Sequence, residues 1–332
     1  MILQDRIELM ARLGDYMLSN DKAWQEAREK AGYENGWFTS DFITIAVKNI
    51  ATHFLEREAL VRWAADYHVP TNLDSPKLVG LTMAGNIPLV GFHDLLSVFI
   101  SGHVLLAKTS SKDDVLIRHL VEVLAHWDKE VSSQISFSSM LKNCDAYIAT
   151  GSNNTSRYFE YYFGRFPHVI RKNKTSIAVL EGNETETELE LLGDDIFQFF
   201  GLGCRNITKI YVPRGYDFIP LLDAFKKYLP LADHHKYKNN YDYNLAIHIL
   251  NRDFYMTNGC ILLAENPALF SPISQLNYEF YDDRENVLSS IGQHPDLQCI
   301  AGHGQLGFGQ AQSPALTDYA DKVDTMAFLQ TL

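Results

Sequence analysis

Cys204 is the residue of this chain best placed to do chemistry. It stands in "FQFFGLGCRNITKIYVPRG" (197–215), behind Gly201, Leu202 and Gly203 and ahead of an alternating run from Ile207 to Val212. A thiolate is a strong nucleophile, and its reactivity follows exposure and a positive neighbourhood. The flanking glycines leave this thiol accessible, and the adjacent Arg205 favours the thiolate. A cysteine outside a disulfide is most often a small buried hydrophobe, which suits Cys144, Cys260 and Cys299 beside their strand-like runs. A second set of candidates lies where apolar runs end in small or polar residues: Ala84-Gly85-Asn86, Lys108-Thr109-Ser110-Ser111, Thr150-Gly151-Ser152 and Glu181-Gly182. Each taken alone reads as ordinary turn chemistry. Four along one edge fit a ligand site, because open parallel sheets bind ligands beyond the carboxyl ends of their strands.

The elements that must hold these residues can be read from periodicity. Residues 1 to about 68 read as helices, with Ile2, Ile7, Leu9, Met10 and Leu13 near helical spacing and Ser40 capping "SDFITIAVKNIATHFL". From residue 77, strands and helices alternate. "KLVGLTM", "HVLLAK" and "DAYIATGS" are short apolar runs; "PLVGFHDLLSVFIS" opens a helix at Pro88, "DDVLIRHLVEVLAHW" places acids in a first turn, and "NNTSRYFEYYF" is a third helix. This alternation predicts an α/β fold with a doubly wound parallel sheet. "SIAVLEG", the acidic helix "TETELELLGDDIFQFF", the strand "NITKIYVPRG" and the helix "YDFIPLLDAFKKYL" follow. Met326, Phe328 and Leu329 are available to dock the tail.

The chain has 332 residues, 46% of them hydrophobic and 21% charged, so two domains with real cores are expected. The formal net charge of -12 with no basic stripe argues against nucleic acid or an anionic membrane as the main partner. The four cysteines form no C-x-x-C pair, no window is long and apolar enough to insert in a membrane, and the N-terminus lacks a signal-peptide core; a reducing cytoplasm is expected. "GHGQLG" (302–307) matches G-x-G-x-x-G, but Gly309 and Pro314 interrupt what should be a helix, so it reads as a glycine-rich loop. His234-His235 is accompanied by no H-E-x-x-H pattern or clustered acid and points only weakly to metal; no metal is expected.

In their order, these segments resemble the aldehyde dehydrogenase superfamily and, within it, the acyl-CoA reductase (LuxC-type) family. "MAGNIP" is similar to the segment with the oxyanion asparagine, implying Asn86. "VLLAKTSS" is similar to the segment whose lysine binds the adenosine ribose, implying Lys108. "IATGS" is similar to the turn beside the cofactor phosphates and nicotinamide, implying Gly151 and Ser152. "AVLEG" is similar to the general-base segment, implying Glu181 with Gly182 on the cofactor side, and "GLGC" to the catalytic-cysteine loop, implying Cys204. "AQSPALTDYADKVDT" adds likeness to the acyl-CoA reductase branch. The likeness runs from about residue 77 to the end. The chain is shorter than a usual aldehyde dehydrogenase, the interval from Glu181 to Cys204 is compressed, and Ala268 stands where a ribose-binding glutamate is often found.

The resemblance implies an aldehyde-dehydrogenase-like fold. Residues 1–180 would carry the N-terminal helices and the nicotinamide-cofactor domain, and residues 181–332 a smaller α/β catalytic domain with the tail. It implies reduction of an acyl-CoA thioester to an aldehyde, with the Cys204 sulfur presented at the mouth between two domains, and a dimer or larger homo-oligomer. Glu181 would activate water in a hydrolytic enzyme or help proton transfer at the thiol in a reductase. Ser111, where many NAD-using relatives carry an acid, and the neighbouring Lys112 imply NADPH in preference to NADH. Two alternatives stay open: a dehydrogenase that hydrolyses its acyl-enzyme to an acid, and a non-catalytic relative that binds a partner.

Overall fold

The computed structural model describes residues 1–332, the side chain of Asn153 excepted. The chain divides into two compact units, one of residues Met1–Asn173 with Pro314–Leu332, the other of Lys174–Ser313. The sequence reading sets one boundary, after residue 180, and keeps the tail in the second part.

The first unit opens with four helices, α1 (Leu3–Leu18), α2 (Lys22–Glu34), α3 (Ser40–Asn49) and α4 (Arg57–Asp66). Thr39, not Ser40, caps α3: its hydroxyl accepts the Phe42 N–H at 3.3 Å, and Ser40 is the first helical residue. Next come β1 (Leu78–Thr82), α5 (Phe92–Ser101), β2 (Val104–Lys108), α6 (Val115–Trp127), the single turn α7 (Val131–Gln134), β3 (Ile135–Phe137), β4 (Ala146–Thr150), α8 (Asn153–Phe163) and β5 (His168–Arg171). The strands lie in the order β3-β2-β1-β4-β5, all parallel. This is the expected doubly wound sheet. β4 is buried along four of its five residues, which is why it reads as an unbroken apolar run and not as an alternation. On α6, Leu116, Ile117, Leu120, Val121 and Leu124 recur at helical spacing and are all buried.

Two further boundaries differ from the sequence reading. α5 starts at Phe92, four residues after Pro88. The cause is long-range: the buried Asp113 carboxylate takes the Leu89 N–H at 2.7 Å and holds Leu89 at φ 59°, outside helical space. The acids expected in the first turn of α6 precede it; Asp114 binds the Arg118 Nε at 2.6 Å.

The tail returns to this unit. The Trp63 indole donates to Tyr319 Oη at 2.9 Å and His93 Nε2 meets Leu316 O at 2.9 Å. In the closing helix Thr325–Gln330, Met326 and Leu329 join the core, with Phe328 partly buried against it. The buried Arg171 guanidinium pairs with Asp94 and donates to Thr325 Oγ1 at 2.6 Å.

The second unit holds β6 (Thr175–Val179), α9 (Glu186–Phe197), β7 (Ile207–Pro213), α10 (Ile219–Ala224), α11 (His235–Asn251), β8 (Met256–Thr257), β9 (Leu262–Glu265), β10 (Gln275–Tyr281), α12 (Arg284–Ile291) and β11 (Leu297–Ala301). Its sheet runs β11-β6-β7-β10-β9-β8 and is parallel except for the antiparallel β8–β9 pair at one edge. α9 begins with a reciprocal cap in which Thr185 and Glu188 satisfy each other's backbone N–H. Among the described residues no helix is long and apolar enough to cross a membrane.

Candidate active site

In the first unit the chain winds from β1 outward through β2 to β3, then crosses back to place β4 on the other side of β1. The strand order therefore reverses between β1 and β4, the position where open α/β sheets leave a crevice for a ligand. Asn86 lies in the loop after β1, Lys108 ends β2, Ser111 lies in the following turn, and Gly151 and Ser152 follow β4. The structure thus brings these five residues to one edge of one sheet. Asn86, Lys108, Ser111 and Ser152 are exposed there.

The loops after β1 and β2 are built as one piece. Met83 N–H donates to Lys108 O at 3.0 Å. Gly85 packs so tightly that a Cβ on it would lie 2.5 Å from Ser110 Oγ, so only glycine lets the two loops meet. Burial pushes the Asp113 carboxyl up to about 7, against the lowering effect of the Leu89 N–H it accepts. At β4 the Ser152 hydroxyl accepts the Thr155 N–H at 3.3 Å and caps α8. An ammonium, hydroxyls and a helix N-terminus along a switch-point crevice suit a dinucleotide: the cation and first-turn N–H groups favour its phosphates, and the polar side chains its riboses.

In the second unit the approach to Cys204 is not a continuous helix. α9 stops at Phe197, and Phe199, Phe200 and Gly201 then take φ values of 54°, 56° and 72° in succession. A left-handed conformation costs a non-glycine residue about 1–2 kcal/mol. Both phenylalanines are buried, and burying such a side chain contributes about 1.5–3 kcal/mol, so burial offsets the strain. The Phe200 ring lies 4.4 Å from His234 and 5.7 Å from Tyr237. Gly201 continues the reversal where a side chain would be strained.

Cys204 then sits in a four-residue turn closed by Asn206 N–H donating to Gly203 O at 3.1 Å. Asn206 is fully buried and organises this turn. Its Oδ1 accepts the Gly203 N–H at 2.8 Å, while its Nδ2 donates to Asp195 O at 3.0 Å and Gln198 O at 2.9 Å, tying the turn to the end of α9. Beneath the turn, the buried Ser176 hydroxyl on β6 donates to Cys204 O at 3.2 Å. Cys204 itself is half-buried, and so is Cys299; none of the four cysteines is in a disulfide.

Glu181 is not brought to Cys204. β6 and β7 are parallel, with Ser176 opposite Ile207 and Val179 opposite Tyr211. Cys204 precedes β7 and lies at the Ser176 end; Glu181 follows β6 at the other. Five residues of strand between Ser176 and Glu181 amount to about 16 Å, too far for proton transfer. The reading of Glu181 as a base at the thiol is corrected here. Its carboxylate lies 2.9 Å from Arg284 Nε and 3.6 Å from His303 Nδ1, and His303 Nε2 meets Glu188 at 2.9 Å. The Glu188 hydrogen bond, followed by the charges of Glu188 and Glu181, raises the His303 pKa. Gly182 shares this end, its N–H on Glu184 Oε2 at 3.1 Å.

Sequence reasoning passed over Asn206, Ser176, Arg284 and His303. Only Asn206 carried a local signal, as an amide three residues after a glycine in a turn.

No family model matches the chain, and no curated protein matches it. Solved structures do. An aldehyde dehydrogenase of Mycobacterium tuberculosis complexed with NAD+ is 12% identical with a TM-score of 0.63, over 91% of this chain and 73% of its own. Aldehyde dehydrogenase C of Pseudomonas syringae, solved with NAD+ and octanal, is 10% identical with a TM-score of 0.65, over 91% and 72%. A 1-pyrroline-5-carboxylate dehydrogenase variant of Thermus thermophilus is 13% identical with a TM-score of 0.61, over 91% and 69%. The fold is aldehyde-dehydrogenase-like.

Proposed function

We propose that the chain reduces an acyl-CoA thioester to an aldehyde through a thioester on Cys204. The observation that carries this reading is the turn around Cys204: a half-buried thiol on a reversal held by Asn206 and Ser176. The Cys204 thiolate attacks the thioester carbonyl, and the coenzyme A thiolate leaves. The Cys204 N–H and the Asn86 amide, assigned through its motif, stabilise the oxyanion; one such donor is worth about 3 kcal/mol. The nicotinamide cofactor, when bound, supplies the hydride. Lys108, Ser111, Gly151 and Ser152 are the residues that would hold it, and collapse at the acyl carbon returns the Cys204 thiolate and frees the aldehyde. Gly182, at the far end of β6, is left out of this set. NAD+ in the Mycobacterium tuberculosis structure supports a nicotinamide cofactor. The preference for NADPH rests on Ser111 and Lys112, both exposed beyond β2.

The position of Glu181 favours reduction over hydrolysis. A hydrolytic enzyme needs a base to activate water at the acyl-enzyme, and this carboxylate is at the opposite end of the strand. The test is product analysis over a panel of acyl-CoA thioesters with NADPH and with NADH. Aldehyde and free coenzyme A are expected, with the acyl adduct on Cys204. Cys204→Ala should abolish turnover while keeping cofactor binding, and Glu181→Gln should leave the rate within about twofold, as expected for a carboxylate outside the proton path. An acid product, or an adduct on Cys144, Cys260 or Cys299, overturns the reading.

A further inference from the structure

Ser176 touches two cysteine residues at once. Besides donating to Cys204 O at 3.2 Å, its Oγ lies 3.0 Å from the Cys299 Sγ and accepts the Cys299 N–H at 3.3 Å. Cys299 is on β11, which borders β6 on the side away from β7. Two strand spacings amount to about 10 Å, whereas a disulfide needs Cα atoms within about 7 Å, so strand-bound cysteines on β7 and β11 could not pair. Cys204 is not strand-bound. Its turn leans over β6 far enough for its carbonyl to reach the Ser176 hydroxyl, which puts Cys204 O and Cys299 Sγ two hydrogen-bond lengths apart through one oxygen. Gly201 and Gly203 flank the segment that would have to adjust. Cys204 and Cys299 are half-buried, while Cys144 and Cys260 are buried.

We propose that Cys204 and Cys299 form a disulfide in response to a hydroperoxide, with Cys299 as the resolving thiol. The Cys204 thiolate attacks the hydroperoxide: an S–O bond forms, the O–O bond breaks, and the departing oxygen takes a proton to leave as water or an alcohol. Cys204 is then a sulfenic acid. The Cys299 sulfur attacks the Cys204 sulfur, the S–S bond forms, and the S–O bond breaks; the oxygen leaves as water with the Cys299 proton. Two thiols lose two electrons and the hydroperoxide gains them. The bridge protects Cys204 from irreversible over-oxidation to the sulfinic acid, and a dithiol restores it. Cys144 and Cys260 stand outside this chemistry, since burial pushes both thiols up, Cys260 to about 11. None of this requires the acyl chemistry proposed above, and its readout is mass.

The experiment treats the full chain with hydrogen peroxide in slight excess and maps the peptides before and after reduction by a dithiol. A Cys204–Cys299 cross-link that the dithiol reverses is expected. Cys299→Ser should lose the cross-link and accumulate Cys204 sulfinic acid, and Cys204→Ser should leave Cys299 as a thiol. The proposal is overturned by a cross-link through Cys144 or Cys260, or by Cys204 sulfinic acid forming as fast in the unaltered chain as in Cys299→Ser.

Discussion

Replacing Asn206 by alanine should do far more damage than its place outside the reacting atoms suggests. The side chain makes three bonds of 3.0 Å or less, accepting from Gly203 N–H and donating to the carbonyls of Asp195 and Gln198. Each such bond contributes about 1 kcal/mol net, and a donor left buried without an acceptor costs about 1–3 kcal/mol more. Gly203 is itself buried, so the loss should total about 3–5 kcal/mol, with a fall in Tm on the order of 10 °C. Thermal and urea unfolding measure it, and alkylation of Cys204 by iodoacetamide reads the loosening of the turn as a faster rate. Asn206→Asp sharpens the argument. It keeps an acceptor for Gly203 N–H but sets carboxylate oxygen against two carbonyl oxygens, so it should be at least as destabilising as alanine. The reasoning fails if Asn206→Asp matches the unaltered chain, or if Asn206→Ala costs less than about 1 kcal/mol, the scale of an ordinary surface change.

Asp113 gives a pH signature. Its folded pKa of about 7 lies above that of an unfolded aspartate, about 4, so the folded chain binds the extra proton between them. Its contribution to stability is therefore full at low pH, declines as pH rises from about 4 to about 7, and levels off above; Asp113→Asn should flatten the Tm profile across that window while keeping an acceptor for Leu89 N–H. Arg171→Met should cost about 3–5 kcal/mol, because it leaves the buried Asp94 carboxylate without its partner; limited proteolysis should show the tail released first, and an unchanged cleavage pattern would refute the clamp. Ser111→Glu should shift cofactor preference toward NADH by adding charge against a 2′-phosphate; an unchanged NADPH to NADH ratio removes Ser111 from the cofactor site.

The elements that sequence reading recovered are those whose signal is local. β1, β2 and β4 are five-residue, mostly apolar runs closed by small or polar residues, and α8 is bounded by its own Ser152 cap. β3, only three residues long, has too little pattern to be seen. α5 starts later than Pro88 suggests, because a carboxylate distant in sequence overrides that local signal. The pairing of Glu181 with Cys204 failed on topology. In a parallel strand-helix-strand unit, the residue after the first strand and the residue before the second lie at opposite ends of the sheet. A glutamate closing β6 could not meet a cysteine opening β7, however close in sequence. Asn86, Lys108, Gly151 and Ser152 end or follow their strands, so parallel pairing places them all at one edge of their sheet.

The return of the tail to the first unit has a consequence for synthesis. Residues 174–313 are contiguous and emerge from the ribosome together, so the contacts within that unit can form without waiting for the tail. Those of the other cannot: Arg171, once made, lies 154 residues ahead of Thr325. At translation speeds of 5–20 residues per second, this corresponds to roughly 8–30 s. During that interval the Asp94–Arg171 ion pair lacks its third member, and the apolar surface that Met326 and Leu329 later cover is open. A nascent chain exposing such a surface for seconds is a natural client for a chaperone that binds apolar segments, and stalling translation after residue 313 should prolong that association.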